Sequence, residues 1–561
     1  MGQGLSLNVC GLTKAFLFEF VQQTLVNGKI GKQQNKIRNN NLSQVYAVGA
    51  NPASNGRPAQ IILVVIYFNH VLTEYDARSK KVKSIRHVVL LPLLALIANC
   101  TVNDPIHKVE LLIYNTNLID VQNGKVYPDQ YLAIDEGRIV GRGEVENMRY
   151  QATQTVNGQG GYVMPGLWDM HVHFGGGEDL IEDNKALLGL YLAHGVTTVR
   201  DAAADLSDTV LAWRAQIANG ELTGPRIFTS GPKLEGKDSI WPGDLEVETV
   251  AEMHAAMDKL DAMQVDYIKI TDSAMTPELY LQAVKEVKSR GYNISGHIPF
   301  ELSVTDVSDA GLDAIEHMSY LLKAAAKNEE EISERVASGE LSYRSALPII
   351  TRHVDKQTAL SKYKVLAKND TAVVPTMIGS QIIAYLDEED HLQDQFLQYL
   401  GQGLIDTYEW RVERAGKDDA EAIRARKQQF QVSASLLPWL QQSGVRIIAG
   451  TDAGFLNSYI YPGLSLHQEL QIYVESGLSP LQAIQSAVLS GPAFLNRQAD
   501  YGSLYVGKVA DILLLTQNPL EDIRHTRRIS GVVAQGRYFN QNDLQELLDK
   551  AETYASSTRG N

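Results

Sequence analysis

The sequence predicts an α/β protein: a distorted parallel (β/α)8 barrel with a composite β-sandwich built from both ends of the mature chain. Three observations carry this. Short apolar strands alternate with longer helical patterns through the middle of the chain, which is the pattern of βα units around a parallel sheet. Eight such strands can be read within 161–499: "YVMPGLWDMHVH", "GVTTVRD", "PRIFTSG", "DYIKI", "NISGHI", "DAIEHM", "AVVPTM" and "RIIAGTDAG". All-β pieces rich in Val, Ile and Tyr stand on either side, at 105–160 and 500–541.

The flanking pieces are read from their turns. Asn123-Gly124 and Glu136-Gly137 punctuate apolar runs and predict hairpins. Residues 321–442 are rich in Ala, Gln, Glu, Lys and Arg, so long helices are expected around the seventh strand. Residues 542–561 read as a tail: a short amphipathic helix with a frayed end.

Composition narrows the function classes. A chain of 561 residues with 44% hydrophobic and 21% charged residues is ordinary for a globular protein. The net charge of −15, with no basic stripe to offset it, argues against nucleic acid as a partner. With two cysteines, Cys10 and Cys100, there is no disulfide framework and no cysteine-based zinc site. A bound metal would need His, carboxylate or a modified side chain.

The front of the chain stands apart. Residues 1–81 mix Asn/Gln/Lys-rich stretches with one apolar run and show no sustained period; they read as an upstream over-extension or an unstructured segment. Residues 82–100, "VKSIRHVVLLPLLALIANC", have a basic start, an apolar run and then Cys100. That is the layout of a signal peptide whose apolar run is too short to span a bilayer. "IANC" resembles the bacterial lipobox, with Asn99 where a smaller residue is usual. The expectation is a start at Val82, lipidation of Cys100 and a place in the bacterial cell envelope, periplasmic or membrane-anchored. If the signal is not used, the protein is cytoplasmic.

Polar residues at the strand ends carry the chemistry. His171 and His173 are two apart on the first strand, so both imidazoles point to one face. Lys269 interrupts the apolar fourth strand, His297 ends the fifth, His317 the sixth and Asp452 the eighth. In a barrel these ends converge on one rim. Singly, each has a packing explanation; together they make a set of metal-ligand type. By the same alternation Asp169 points toward His171 and is either an orienter or a structural hydrogen-bonding group. His194 reads as structural, Asp201 as a supporting group, and Arg200 as a residue that could pair outward.

The ordered set "MPGLWDMHVH", "GVTTVRD", "IKI", "GHIP", "IEHMS", "GTDAG" and "GSLYVGKVADILLL" resembles the amidohydrolase superfamily. Its imidazolonepropionase-like branch, which includes metal-dependent Xaa-Pro dipeptidases, is the nearest in pattern. The resemblance covers about residues 107–541 and implies a distorted TIM barrel with a composite sandwich. It implies two divalent metals, zinc by default: His171, His173 and Asp452 on one, His297 and His317 on the other. Lys269, carboxylated by CO2, would bridge them. A hydroxide between the metals would attack a small amide, peptide or cyclic, with Asp452 as the proton shuttle. Tyr320, in "EHMSYL", would contact the substrate.

Two other readings stay open. One is a mononuclear lactam hydrolase or deaminase with unmodified Lys269; the other is a catalytically inactive envelope binding protein. Whether the chain forms a homo-oligomer is also left open.

Overall fold

The computed structural model describes residues 106–559 and a hairpin of β1 (Thr73–Asp76) and β2 (Lys81–Ser84). The hairpin is antiparallel, Thr73 opposite Ser84, and crosses Val82, the expected start. The rest of segments 1–81 and 82–100, Cys100 included, lies outside the described residues. Among those described, no helix is long and apolar enough to cross a membrane.

Alternating apolar residues build the first sheet. β3 (His107–Asp120), β4 (Lys125–Asp135) and β5 (Arg138–Glu144) form an antiparallel meander. Its turns are those read from the sequence. Glu136 and Gly137 sit at φ 48° and 68°, the two left-handed positions that a tight type I′ hairpin requires. β6 (Tyr150–Asn157) and β7 (Tyr162–Pro165) then pair with β3.

The expected first barrel strand is two strands. β7 ends at Pro165 in the flanking sheet, and β8 (Leu167–His173) opens the parallel series. Gly166 is the break, since a Cβ there would lie 2.3 Å from the Thr197 hydroxyl. β9 (Val196–Asp201) and β10 (Arg226–Thr229) follow β8 in order. A second parallel sheet holds β11 (Leu234–Gly236), β12 (Leu245–Val247), β13 (Ile268–Ile270), β14 (Ile294–Gly296), β15 (Ala314–Glu316) and β16 (Ala372–Val374). The eighth expected strand is reduced to β17 (Ala453–Gly454) beside β8 and a bridge from Ile447 to Val373 of β16.

Backbone hydrogen bonds run between the two sheets. Ile448 N donates to Val373 O and Met170 N to Ala449 O; on the other side Asp266 N donates to Thr229 O. The result is a TIM-barrel-type α/β arrangement with an attached sheet domain. Trp168, Met170, Phe228, Tyr267, Ala314, Ala372, Val374 and Ile448 pack into one apolar layer, a floor beneath the strand ends. Long helices surround β16 as expected, among them Lys356–Lys368 and the 24-residue Ala420–Ser443. The latter starts on an Asp419 cap and stops at Gly444, φ 83°, the left-handed position glycine suits.

The chain then returns to the first sheet. β18 (Ile512–Leu515) pairs antiparallel with β7, followed by β19 (Ile529–Ala534) and β20 (Arg537–Asn540). The two flanking pieces, expected to build a sandwich, join in one continuous sheet of order β20-β19-β18-β7-β3-β4-β5. It extends to Pro165, beyond the expected boundary at 160. The sheet curls, for Ile139 N donates to Lys508 O and Ala510 N to Gly137 O. Leu111, Ile113, Leu132, Ile512, Leu514 and Val533 fill its core.

The last segment holds the expected helix, which runs further than read. Gln541–Thr558 is an 18-residue helix capped by Asn540, burying Leu544, Leu547, Ala551 and Ala555. It packs on helix Ile181–Ala193, where the Tyr554 hydroxyl donates to Asp183 at 2.9 Å.

Candidate active site

A bulge in β8 builds the first part of the site. Asp169 pairs with Val199 but Val172 with Asp201, so one extra residue sits on β8 and the alternation of faces breaks. Met170 packs in the apolar floor, and the next residue, His171, also faces inward. Asp169 is turned away from the imidazoles. It accepts from the Thr451 backbone and hydroxyl, at 3.0 and 2.7 Å, and from His171 N, and thereby ties β8 to the Thr451–Gly454 segment. It is the structural group of the two alternatives, and burial pushes its carboxyl up to about 7.

His171 and His173 point the same way, as their spacing predicts. The His171 Nδ1 proton goes to Glu316 Oε2 at 2.7 Å and the His173 Nδ1 proton to the Ala203 carbonyl. Both acceptors lack a proton of their own, so both tautomers are fixed and each Nε2 presents a lone pair. The two Nε2 atoms lie 3.1 Å apart, and Asp452 Oδ1 lies 3.4 Å and 3.0 Å from them. Three acceptors thus converge with no donor among them, an arrangement a cation resolves. Among the described residues this is the one group of three or more such side chains whose ligand atoms all lie within 4.8 Å.

Burial, with the Lys269 charge adding, pushes His171 down to about 4, which keeps the imidazole neutral and able to ligate. Burial pushes Asp452 up, but His171, His173 and His317 outweigh it and hold the carboxyl well below its usual range. Asn457 Nδ2 donates to Asp452 Oδ1 at 3.0 Å.

The second expected pair stands beside the first. The His317 ring lies 5.1 Å from that of His171 and 5.0 Å from that of His297. His317 Nδ1 meets the Thr376 hydroxyl at 2.7 Å, and His297 Nδ1 lies 3.3 Å from Asp272. Both strand ends bend sharply, with His317 at φ 66° and Asp452 at φ 68°. Non-glycine residues hold that conformation only at a cost of about 1–3 kcal/mol, and such sites cluster where function needs them.

Lys269 comes from β13 into the same space. Its Nζ is buried without a hydrogen-bond partner, 3.9 Å from Glu316 Oε1. Burial, with Arg200 adding and Glu316 opposing, pushes it down to about 8.

Glu316 is a site residue that sequence reasoning missed. It is fully buried, and besides His171 it takes the Arg200 guanidinium at 2.6 Å. Burial pushes its carboxyl up, yet Arg200, Lys269 and His171 hold it well below the usual range. Arg200 therefore pairs inward, not outward; its Nε donates to Met170 O. Asp201 accepts from Thr229 at 2.7 Å. His194 is structural, with Nδ1 on Leu190 O. Tyr320 is buried, its hydroxyl donating to Asp272 at 2.9 Å and its ring on Phe300. It reaches the site through Asp272, a residue not singled out in the sequence. A groove lined by Phe228, Asp266, Tyr292 and Arg497 lies where the strands begin and contains none of these residues.

Parallel strands of this type, with histidines and carboxylates gathered at their C-terminal ends, place side chains of metal-ligand type at the rim where barrel hydrolases carry their active sites. Comparison with known proteins agrees. The model of the amidohydrolase family matches residues 162–538, more than half of the chain, and the protein belongs to that family. It is a hydrolase of carbon–nitrogen bonds. Ochratoxinase of Aspergillus niger is 24% identical over 418 residues, covering 64% of this chain and 72% of that protein. Among solved structures, bottromycin amidohydrolase matches with a TM-score of 0.62 at 19% identity, over 79% of this chain and 90% of that one. A Xaa-Pro dipeptidase with bound methionine matches at 0.57 and 20%, over 77% and 99%. At these identities the two structures speak for the fold.

Proposed function

We propose that the protein cleaves the amide bond of a small peptide or cyclic amide by a metal-dependent, dipeptidase-like reaction at the rim of a closed (β/α)8 barrel. The observation that carries this is the convergence of His171 Nε2, His173 Nε2 and Asp452 Oδ1, three acceptors with no proton to share among themselves. The residues fit divalent ions of the zinc type. His171, His173 and Asp452 would hold one, His297 and His317 a second, and the orphaned buried amine of Lys269, carboxylated by CO2, would span them. Ions bound there supply an acidified water and a polarised carbonyl.

The rest falls to the chain's own groups. Asp452 enters the reaction ionised, so its free carboxylate oxygen takes the proton of the attacking water and returns it to the leaving nitrogen. Asn457 keeps Oδ1 oriented through that transfer. Glu316 holds the His171 tautomer, and the apolar floor below the site keeps bulk water out. Tyr320 and Asp272 form the wall beside His297, the side from which a substrate carbonyl or carboxylate is contacted.

A second reading uses one metal and an unmodified Lys269. It is favoured by the 3.9 Å approach of Nζ to Glu316, which suits an ammonium. Metal analysis of the purified protein separates the two: two ions per chain with a CO2 adduct on Lys269, or one ion and a free amine. A dipeptide and N-acyl amino acid library, with Lys269→Ala as blank, tests the activity. No turnover of any member in the metal-loaded protein would sink the proposal. We further propose that Cys100 is lipidated and tethers the enzyme to the bacterial envelope; an unmodified peptide running through Cys100 would refute it.

A further inference from the structure

Thr376 stands where a helix cap belongs and does not cap. It precedes helix Met377–Tyr385 at φ 47° and ψ 48°, and its side chain takes none of the free N–H groups of that helix. A capping threonine keeps an extended backbone and accepts from the second or third residue of its helix. Left-handed backbone is costly for a β-branched side chain. The Thr376 hydroxyl instead meets His317 Nδ1 at 2.7 Å.

The cap comes from another helix. Glu469, on helix Leu464–Glu475, accepts from Met377 N at 2.8 Å through Oε1 and from Ile378 N at 2.6 Å through Oε2. These are the first two N–H groups of their helix, which have no partner within it. Both carboxylate oxygens are used, and the two residues that follow Thr376 are clamped.

Such an acid is expensive. Glu469 is fully buried, and burial pushes its carboxyl up to about 8 although the two backbone donors oppose this. A buried polar group of this kind destabilises the fold unless its hydrogen bonds are complete. A threonine in the ordinary capping conformation would serve the helix without it. What the acid adds is a hydroxyl freed from capping.

That hydroxyl acts on His317. The backbone there is fixed by β16, with His317 N donating to Val374 O at 2.8 Å, but this leaves the ring to turn about its own bonds. With Nδ1 engaged by Thr376, Nε2 is the nitrogen left for the space shared with His171 and His297.

We propose that Glu469 is a positioning residue: by capping helix Met377–Tyr385 in place of Thr376, it holds Thr376 left-handed and its hydroxyl on His317 Nδ1, so that His317 Nε2 is presented to the second ion. The presentation to an ion rests on the two-metal reading of the site; the clamp on Thr376 does not.

Glu469→Gln keeps the shape but exchanges one acceptor oxygen for an amide N–H that faces a backbone N–H. In a crystal structure of the metal-free variant, Thr376 should leave the left-handed region and its hydroxyl should part from His317. An unchanged contact there overturns the proposal, whatever the metal count. Calorimetric titration of metal-stripped protein with Zn2+ reads the consequence. Glu469→Gln should bind the ion of His171, His173 and Asp452 as wild type does, and the other about 10- to 100-fold more weakly. Thr376→Val, which removes the hydroxyl and leaves Glu469, should show the same selective loss. Equal weakening of both ions, or of neither, refutes the positioning role. A wild type that binds one ion counts against the two-metal reading, and the crystal structure then decides on Glu469.

Thermal unfolding separates a positioning acid from a plain helix cap. Glycine adopts φ 47° without strain, so Glu469→Gln should lower Tm less in a Thr376→Gly background than in wild type. If Glu469→Gln alone does not fold, the double variant should. An equal loss of Tm in both backgrounds, or an unfolded double variant, would make the acid a cap and nothing more.

Discussion

Glu316 links two buried groups at once: it accepts from His171 Nδ1 at 2.7 Å and from the Arg200 guanidinium at 2.6 Å. One carboxylate therefore sets the tautomer of a histidine proposed to hold metal and neutralises a buried arginine. Replacing it by Gln keeps the shape and removes the charge. Glu316→Gln should lower metal affinity by about 10- to 100-fold. It should also cost about 3–5 kcal/mol of stability, because Arg200 loses its partner in the interior. Metal titration and denaturant unfolding of the same samples check both parts; unchanged values in both would show that the contact is incidental.

Asp452→Asn removes the base that is held ionised beside the histidines. The expected loss in kcat is about 10²- to 10⁴-fold, the usual span for a general acid–base group. Metal content measured alongside separates lost proton transfer from a lost ligand. Hydrolysis at the wild-type rate would exclude the proposed shuttle.

CO2 adds only to a neutral amine, and the buried Lys269 sits at about 8. The neutral fraction of the metal-free protein grows as pH rises through that value. Carboxylation in bicarbonate should accordingly be faster at pH 8.5 than at 7, and the Lys269→Ala variant should show no CO2 adduct by mass spectrometry. An adduct rate flat across this window would contradict the assigned environment.

His467 offers a pH test remote from the site. Its ring is buried between His194 O, at 2.9 Å from Nε2, and Thr526 Oγ1, at 2.9 Å from Nδ1. Burial, with His194 and Arg527 adding, pushes it down to about 3. Between about pH 3 and 6.5 the unfolded chain binds a proton at this residue and the folded one does not, so stability falls as the solution is acidified. The slope from this one group is about 1.4 kcal/mol per pH unit. Unfolding curves at pH 5 and 7 should show a smaller difference for His467→Gln than for wild type.

Much of this architecture was legible because strands buried on both faces are plainly apolar and the polar site residues interrupt them. His171 and His173 share a face through simple alternation, and Lys269 stands out in "DYIKI" as a charge where none is expected. The misreadings fall where alternation fails. The bulge at Asp169–Val172 turns Asp169 from the imidazoles, so a rule of two placed it on the wrong side. At β15 the left-handed φ of His317 lets consecutive residues face one cavity, and Glu316, next to that histidine, read as an ordinary strand-end acid. Gly166 hides a change of sheet inside one apolar run, since nothing in composition separates β7 from β8. Helix Gln541–Thr558 was read as short because its buried stripe is modest and its partner lies some 360 positions earlier.

The pairing of β7 with β18 sets an order of events on the ribosome. β7 ends at Pro165 and its neighbour begins at Ile512. At about 5–20 residues per second, synthesis leaves that edge without its partner for about 20 to 70 s. An open strand edge invites pairing with another chain. During that interval the nascent protein is most exposed to aggregation, and chaperone capture of residues 106–165 is where its yield would be decided.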